Sequence, residues 1–384
     1  MRGLSPQAVF AGLLAAFVGF ASSFAVVLQG LRAAGASEAQ AASGLMALSI
    51  AMGVCAIVAS LRRREPISIA WSTPGAALLA TSGLPAAGFS AAVGAFLVTG
   101  LLIVAAGWWR PLGRAVAALP PALANAMLAG VLLGLCLAPV RAVGTVPLLG
   151  LPVVVTWAVV FRLRRVFAVP AAVVVALGLI AATQPVGLSG AWWPEPVLVT
   201  PVWSWSAMAG IALPLFLVTM ASQNIPGLAV LRVNGYEPAP GPLFRLTGLF
   251  SLLAAPFGGH AVNLAAITAA LCAGPDAHPD PRRRYWAAVV GGIGYVLLGL
   301  LAHAATSFIA ASPPILIQAV AGLALLGALG SALLAAVAEP EGREAALVTF
   351  LVTASGQSFG GVSGAFWGLA VGGALWAMGR WKSR

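Results

Sequence analysis

The chain has 384 residues, 61% of them hydrophobic and only 8% charged, with a mean hydropathy of +1.01. A soluble domain carries about 25% charged residues, so this composition excludes a soluble enzyme or binding module and describes an integral membrane protein with room for about a dozen or more spans. The net charge of +11 does not mark a nucleic-acid binder, because the basic residues sit in short clusters between apolar runs, Arg62 to Arg64 and Arg282 to Arg284 among them, and form no basic face of a soluble fold.

The first apolar run, Pro6 to Leu31, resembles a signal peptide in having Arg2 ahead of it and small residues in ASSFA. Its apolar core is longer than that of a secretion signal and many spans follow, so a retained first helix is expected. A second span is predicted over Ala39 to Leu61, ending on Arg62, Arg63 and Arg64. The next stretch, Pro66 to Gly83 (PISIAWSTPGAALLATSG), alternates β-branched and aromatic residues up to Ser72, which predicts a few residues of extended chain. Thr73 then reads as a helix N-cap with Pro74 at the first helical position, ahead of a short helix of small residues. A full span kinked at proline is the alternative.

Further spans are predicted over Ala87 to Trp109, Pro120 to Pro139, Val146 to Phe161 and Phe167 to Val186. A more polar segment, Gly187 to Ser206, carries Trp192, Trp193, Trp203 and Trp205, which suit the headgroup level. The second half opens with Ala207 to Leu231 and Leu243 to Ala255. It then reaches Pro256 to Ala273, PFGGHAVNLAAITAALCA, a glycine-rich break carrying His260 and Asn263 that runs into an apolar segment too short to cross a bilayer. Asn263 is expected to cap that short helix. The remaining spans are Tyr285 to Ala305, Pro314 to Val337, Ala345 to Thr353 and Phe359 to Met378. Gly360, Gly364, Gly368 and Gly372 give the last a glycine face, suited to close packing inside the subunit or to a contact in a homodimer. GGIG at Gly291 to Gly294 lies within an apolar span with no strand before it, which excludes a nucleotide loop.

Counting both broken segments, the chain reads as an all-α polytopic membrane protein of about fourteen transmembrane segments. They form two inverted repeats of seven, residues 1–190 and 207–384, joined by a connector at 191–206. Segments 3 and 10 are half-helices preceded by short strands. With a cytoplasmic N-terminus this count leaves only Arg32 and Arg141 of the 20 basic residues outside, as the positive-inside rule requires. Both termini are then cytoplasmic and the protein is a multi-pass component of a bacterial-type inner membrane.

Irregular backbone at membrane depth survives only where it is buried in protein or lines a cavity, so both breaks are expected to face a site. None of the nine acidic residues falls inside a span, and Cys55, Cys136 and Cys272 lie singly without metal-ligand spacing. A membrane enzyme, a metal site and a cofactor therefore lack residues. What remains is neutral: Ser72 and Thr73 at the first break, Gln223 and Asn224 within TMASQNIPG, and His260 and Asn263 at the second break. Two helix N-termini with amide and hydroxyl donors, one histidine and apolar walls suit an anion with a large apolar body.

PISIAWSTPGAALLA, TMASQNIPGLAVLRVNGYEP and FGGHAVNLAAITAALCAGPDAHPDPRRRYWAA together resemble the benzoate/proton symporter family (BenE) over nearly the whole chain. The resemblance implies the fold shared with uracil permeases, with a core domain of segments 1–4 and 8–11, a gate domain of segments 5–7 and 12–14, and substrate between the third and tenth helices. Gln223 and His260 stand where nucleobase carriers of that fold place carboxylates, and losing two anionic groups suits an anionic substrate. The expected function is alternating-access uptake of benzoate or a similar aromatic carboxylate with a proton, His260 carrying the proton. A nucleobase or other weak-acid symporter is the alternative on the same fold, and a passive anion channel is the alternative of another class.

Overall fold

Lipid offers a backbone amide no partner, so an apolar chain of this kind folds as helices that close their own hydrogen bonds. The computed structural model describes residues 4–382 apart from 86, 110, 112–119, 184–193, 266, 304–305, 307–312, 358 and 361. Helix α1 (Pro6–Ala21) starts at Ser5, whose hydroxyl accepts from Ala8 N–H at 3.1 Å, and bends at Ser22 and Ser23 into α2 (Phe24–Ala33). Helix α3 (Glu38–Arg63) opens with a capping box between Ser37 and Gln40 and stops at Arg64, a left-handed residue. Strand β1 (Ile69–Trp71) leads into α4 (Thr73–Ser82), followed by α5 (Gly88–Trp108), α6 (Pro121–Cys136), α7 (Ala138–Thr145), α8 (Pro147–Leu163) and α9 (Ala168–Thr183).

The second half repeats the plan. Helix α10 (Trp205–Val233) and α11 (Pro240–Ala254) precede strand β2 (Val262–Leu264) and the short α12 (Ile267–Ala273). Then come α13 (Tyr285–Leu300), α14 (Pro314–Val337), α15 (Arg343–Ala354) and α16 (Gly364–Lys382). Among the described residues seven helical stretches are long and apolar enough to cross a membrane. The half-helices α4 and α12, with 10 and 7 residues, are not. This all-helical membrane architecture is consistent with fourteen segments.

Helix α10 departs from the α-helical ladder twice, in π turns at Met208–Ala212 and Met220–Asn224. Each lies just before a proline, Pro214 and Pro226, which has no N–H to return to the preceding turn. The carbonyl of Gly210, within the first π turn, accepts from Ser363 Oγ at 2.6 Å, which ties α10 to the start of α16. Helices α3, α1 and α13 pack together, as do α5 with α11 and α2 with α4. A separate set forms around α6, which packs on α14 and α15, with α8 on α9 and α15 on α16. The connector docks on the first set, Val197 N–H donating to Ser43 Oγ at 2.9 Å and Val199 N–H to Pro256 O at 2.8 Å. Trp203 and Trp205 are exposed, while Trp192 and Trp193 lie outside the described residues.

Three local expectations change. The cap of α4 is Ser72 and not Thr73: Ser72, directly after β1, has non-helical backbone (φ −77°, ψ 89°), and its Oγ accepts from Gly75 N–H at 3.2 Å. Asn263 caps nothing, because the extended chain runs on through it as the middle residue of β2. Gly360 sits before α16 in a turn with φ of +60°, and the glycine face begins at Gly364.

That face meets α15 inside the subunit. A Cβ on Gly368 would fall 2.8 Å from Thr349 O, and one on Gly372 would fall 3.0 Å from Ala345 O, whereas one on Gly373 would meet nothing within 4 Å. Gly368→Leu is therefore expected to destabilise the fold by about 1–3 kcal/mol through overpacking. Thermal unfolding in detergent, with Gly373→Leu as the silent control, measures it.

Candidate functional site

The two breaks meet at the centre of the first helix set. Strands β1 and β2 pair antiparallel, with Ile69 opposite Leu264, Ala70 opposite Asn263 and Trp71 opposite Val262. The ladder continues at both ends, Ser72 N–H donating to Ala261 O and Ala265 N–H to Ser68 O, each at 3.0 Å. Polar side chains on apolar helices meet backbone amides of β2 and of the chain just before β1. Ser251 Oγ on α11 accepts from Val262 N–H at 2.9 Å, Asn224 Oδ1 on α10 accepts from Leu264 N–H at 2.9 Å, and Ser60 Oγ on α3 accepts from Ile67 N–H at 3.2 Å.

Beside this crossing lies a cavity of about 60 Å³. That is room for a few waters, so the slot is narrower than an aromatic acid and must widen to admit one. Met52, an unbranched and adaptable side chain, is on its wall. Thr73 and Gln223 line it, together with Ala70, Trp71 and Ala265 of the strand region, the bend of the first span at Gly19, Ser22 and Ser23, and Thr268 and Tyr295. No lining residue is charged. A larger hollow between α3 and α11, walled by residues such as Ile50, Leu253 and Phe257, is almost wholly apolar and has nothing to pair with a carboxylate.

Most of the donors at the start of α4 are engaged. Pro74 has no N–H, Gly75 N–H is taken by Ser72 Oγ and Ala76 N–H by Ser72 O. Among the described residues the N–H and hydroxyl of Thr73 and the amide of Gln223 have no partner. Thr73 sits at the positive end of the α4 dipole, and Gln223 lines the same cavity from α10. Elsewhere the hydroxyls are engaged: Ser23 Oγ donates to Gly19 O at 2.9 Å and accepts from Trp71 Nε1 at 2.8 Å.

The other sequence-predicted residues stand behind the strands. Ser72 is fully buried, its Oγ also accepting from Thr219 Oγ1 at 2.9 Å. Asn224 and Asn263 are fully buried too. In the amide orientation that satisfies both its groups, Asn263 accepts from Ser72 N–H at 2.9 Å and donates to Leu264 O at 2.8 Å. His260 is buried with its ring 6.3 Å from that of Phe96. Its Nδ1 accepts from Ala261 N–H at 2.7 Å, which puts the proton of the neutral ring on Nε2, and Nε2 has no partner among the described residues. Neither His260 nor Asn263 is among the cavity-lining residues.

A family model, described as benzoate membrane transport protein (BenE), matches residues 3–378. The chain belongs to the BenE family. It is thus a membrane transport protein and not an enzyme. This BenE chain is 42% identical over 378 residues to the inner membrane protein YdcO of Escherichia coli K12, covering 98% of this chain and 96% of that one. It is 33% identical over 371 residues to the benzoate membrane transport protein of Acinetobacter baylyi, covering 96% and 94%. Its fold is that of the transmembrane domain of the cyanobacterial bicarbonate transporter BicA, with a TM-score of 0.65 at 14% identity over 95% of this chain and 96% of that one. The SLC26A9 structure gives 0.66 at 14% identity, covering 97% and 64%.

Sequence reasoning missed the bend at Gly19 to Ser23 and the pair Thr268 and Tyr295. ASSFA had suggested a cleavage site, yet two consecutive serines in an apolar helix also signal a break, and a lone tyrosine in GGIGYVLLG is a polar tip that needs a partner. Replacing Asn224 by leucine leaves Leu264 N–H buried without an acceptor, so Asn224→Leu is expected to cost about 1–3 kcal/mol of stability. Thermal unfolding of the purified BenE protein measures this.

Proposed function

We propose that this BenE protein takes up benzoate or a similar aromatic carboxylate together with a proton, by alternating access. The observation that carries this reading is the uncharged cavity beside the strand crossing, where the unpaired Thr73 N–H, its hydroxyl and the Gln223 amide meet apolar walls. Donors at a helix N-terminus suit a carboxylate, and Ala70, Met52, Trp71 and Ala265 suit an aromatic body. The name of the Acinetobacter baylyi relative supports benzoate as the guest. Ser72, Asn224 and Asn263 act on the site by fixing the strands that present it.

An anion moving inward works against a negative-inside potential at about 2.3 kcal/mol per charge per 100 mV, and one accompanying proton removes that opposition. His260 is assigned the proton. Its buried imidazole has one nitrogen without a partner and belongs to the same stretch as β2, so protonation and substrate binding can bias one element. The packing of α1–α5 with α10–α13, and of α6–α9 with α14–α16, supports a core domain of segments 1–4 and 8–11 moving against a gate domain of segments 5–7 and 12–14. The basic clusters support cytoplasmic termini, and the Escherichia coli relative supports an inner-membrane location.

Thr73→Val is expected to weaken benzoate binding about tenfold, the scale of one hydrogen bond to a charged group, with unfolding temperature unchanged; unaltered affinity in a thermal-shift titration removes the α4 end as the anion site. In proteoliposomes an inward proton gradient is expected to drive benzoate accumulation in the wild type and not in His260→Gln. Gradient-driven accumulation by His260→Gln would take the proton away from histidine, and benzoate flux that follows voltage without proton movement would make the protein an anion channel.

A further inference from the structure

The cavity beside the strand crossing is smaller than the guest assigned to it. It measures about 60 Å³, whereas an apolar cavity that takes up benzene measures about 150 Å³. Binding therefore requires part of the wall to give way. Every lining residue belongs to the first helix set, so a displacement of the second set leaves these walls as they are.

The backbones that frame the cavity are in contact with one another. On α3, a Cβ on Gly53 would collide with Gly292 O of α13, and a Cβ on Gly292 would fall 2.6 Å from Gly53 O. Helix α1 meets α13 in the same way where Gly12 faces Ala287 O, and α2 meets α4 where Gly30 faces Ala76 O. On α10, a Cβ on Gly227 would fall 2.7 Å from Leu264 Cβ of β2. Parting such elements gives up packing along both of them, so side chains are the cheaper source of space.

Most side chains on the wall have little space to yield. Its glycine, serines, alanines and threonines are short. Trp71 is held by the hydrogen bond from Nε1 to Ser23 Oγ and by the Phe20 ring, 5.4 Å away between centroids. Tyr295 is buried, its hydroxyl donating to Ala15 O at 3.3 Å and standing against Gly19. Gln223 is committed to the carboxylate. Met52 differs from all of these. It is 1% exposed and lines the cavity beside the anchored Gly53, and its unbranched arm turns about three bonds and ends in a weakly accepting thioether.

We infer that Met52 is the movable wall of the site and sets the width of the aromatic acid it accepts. This rests on the aromatic-carboxylate reading above. With the carboxylate at Thr73 and Gln223, the thioether arm swings aside and one ring takes its place against Trp71. No other wall yields, so a second fused ring has no source of space. Shortening the arm to alanine widens the slot permanently. Isoleucine is close to methionine in size but is held to one rotamer in a helix, so it keeps the slot closed.

The test is a thermal-shift titration of the purified protein with benzoate and 2-naphthoate. The wild type is expected to bind benzoate about tenfold or more tighter than 2-naphthoate, since even one surplus methylene in a fixed pocket costs about that much. In Met52→Ala the ratio of the two affinities should shift by about tenfold or more toward 2-naphthoate, and Met52→Ile should weaken benzoate about tenfold. The ligand-free unfolding temperature shows that each variant is folded. A wild type that binds 2-naphthoate as tightly as benzoate overturns this inference whether or not either variant folds. So does an affinity ratio in folded Met52→Ala, or a benzoate affinity in folded Met52→Ile, that stays within about twofold of the wild type. In each of these cases an aromatic acid still binds and the transport reading stands. Failure of both acids to bind the wild type removes the aromatic-carboxylate reading and this inference with it.

Discussion

A three-residue antiparallel pairing in the middle of a membrane protein holds the site together. Extended backbone exposes N–H and C=O groups on both edges, and in a bilayer interior each unmatched group costs several kcal/mol. Strands β1 and β2 satisfy one another along their shared edge. On the outer edge of β2, Val262 and Leu264 N–H are met by Ser251 and Asn224, each projecting from an otherwise apolar helix. Serine and asparagine at those places are a consequence of the pairing, and so is the helix start that follows β1. Once Ser72 leaves the strand, its hydroxyl closes the first turn of α4 and its carbonyl the next.

The chemistry of the cavity follows from what that capping leaves over. With Pro74 lacking an N–H and Gly75 and Ala76 engaged, Thr73 is left holding the donors at the start of α4, and Gln223 reaches the same space from a π turn that Pro226 makes tolerable. No charged side chain enters. A fixed cation would hold an anion too firmly for release on the other side of the membrane, whereas neutral donors on a helix dipole favour negative charge more weakly. The same parsimony appears where the two helix sets meet. The carbonyl of Gly210 takes the Ser363 hydroxyl, a directional contact between the two helix sets.

Much of this architecture is legible in the residues. The glycine-rich break at Pro256 to His260 and the alternation before Ser72 announce interrupted segments, because no uninterrupted apolar helix is written that way. The register of the pairing is not legible: three residues on each side, Ile69 to Trp71 and Val262 to Leu264, contain nothing that distinguishes one alignment from the next. That is why Asn263 suggests a cap and sits instead inside β2. Ser72 against Thr73 is a one-residue ambiguity of the same origin, since both hydroxyls are good caps and only the end of the strand chooses between them.

The sequence by itself determined the solvent in which this protein folds, the two places where helix gives way, and the neutral character of whatever lies between them, because hydropathy, glycine and proline, and the absence of intramembrane acids act locally. The tertiary structure decided which polar groups remain free. Ser72, Asn224, Asn263 and Thr73 are alike as residues, yet the first three are consumed by the strands and Thr73 is not. Tyr295 and Gly19 come together only because α13 packs against α1. Hydrogen-bond satisfaction is a property of the whole fold, so the fold alone leaves a donor available to a guest.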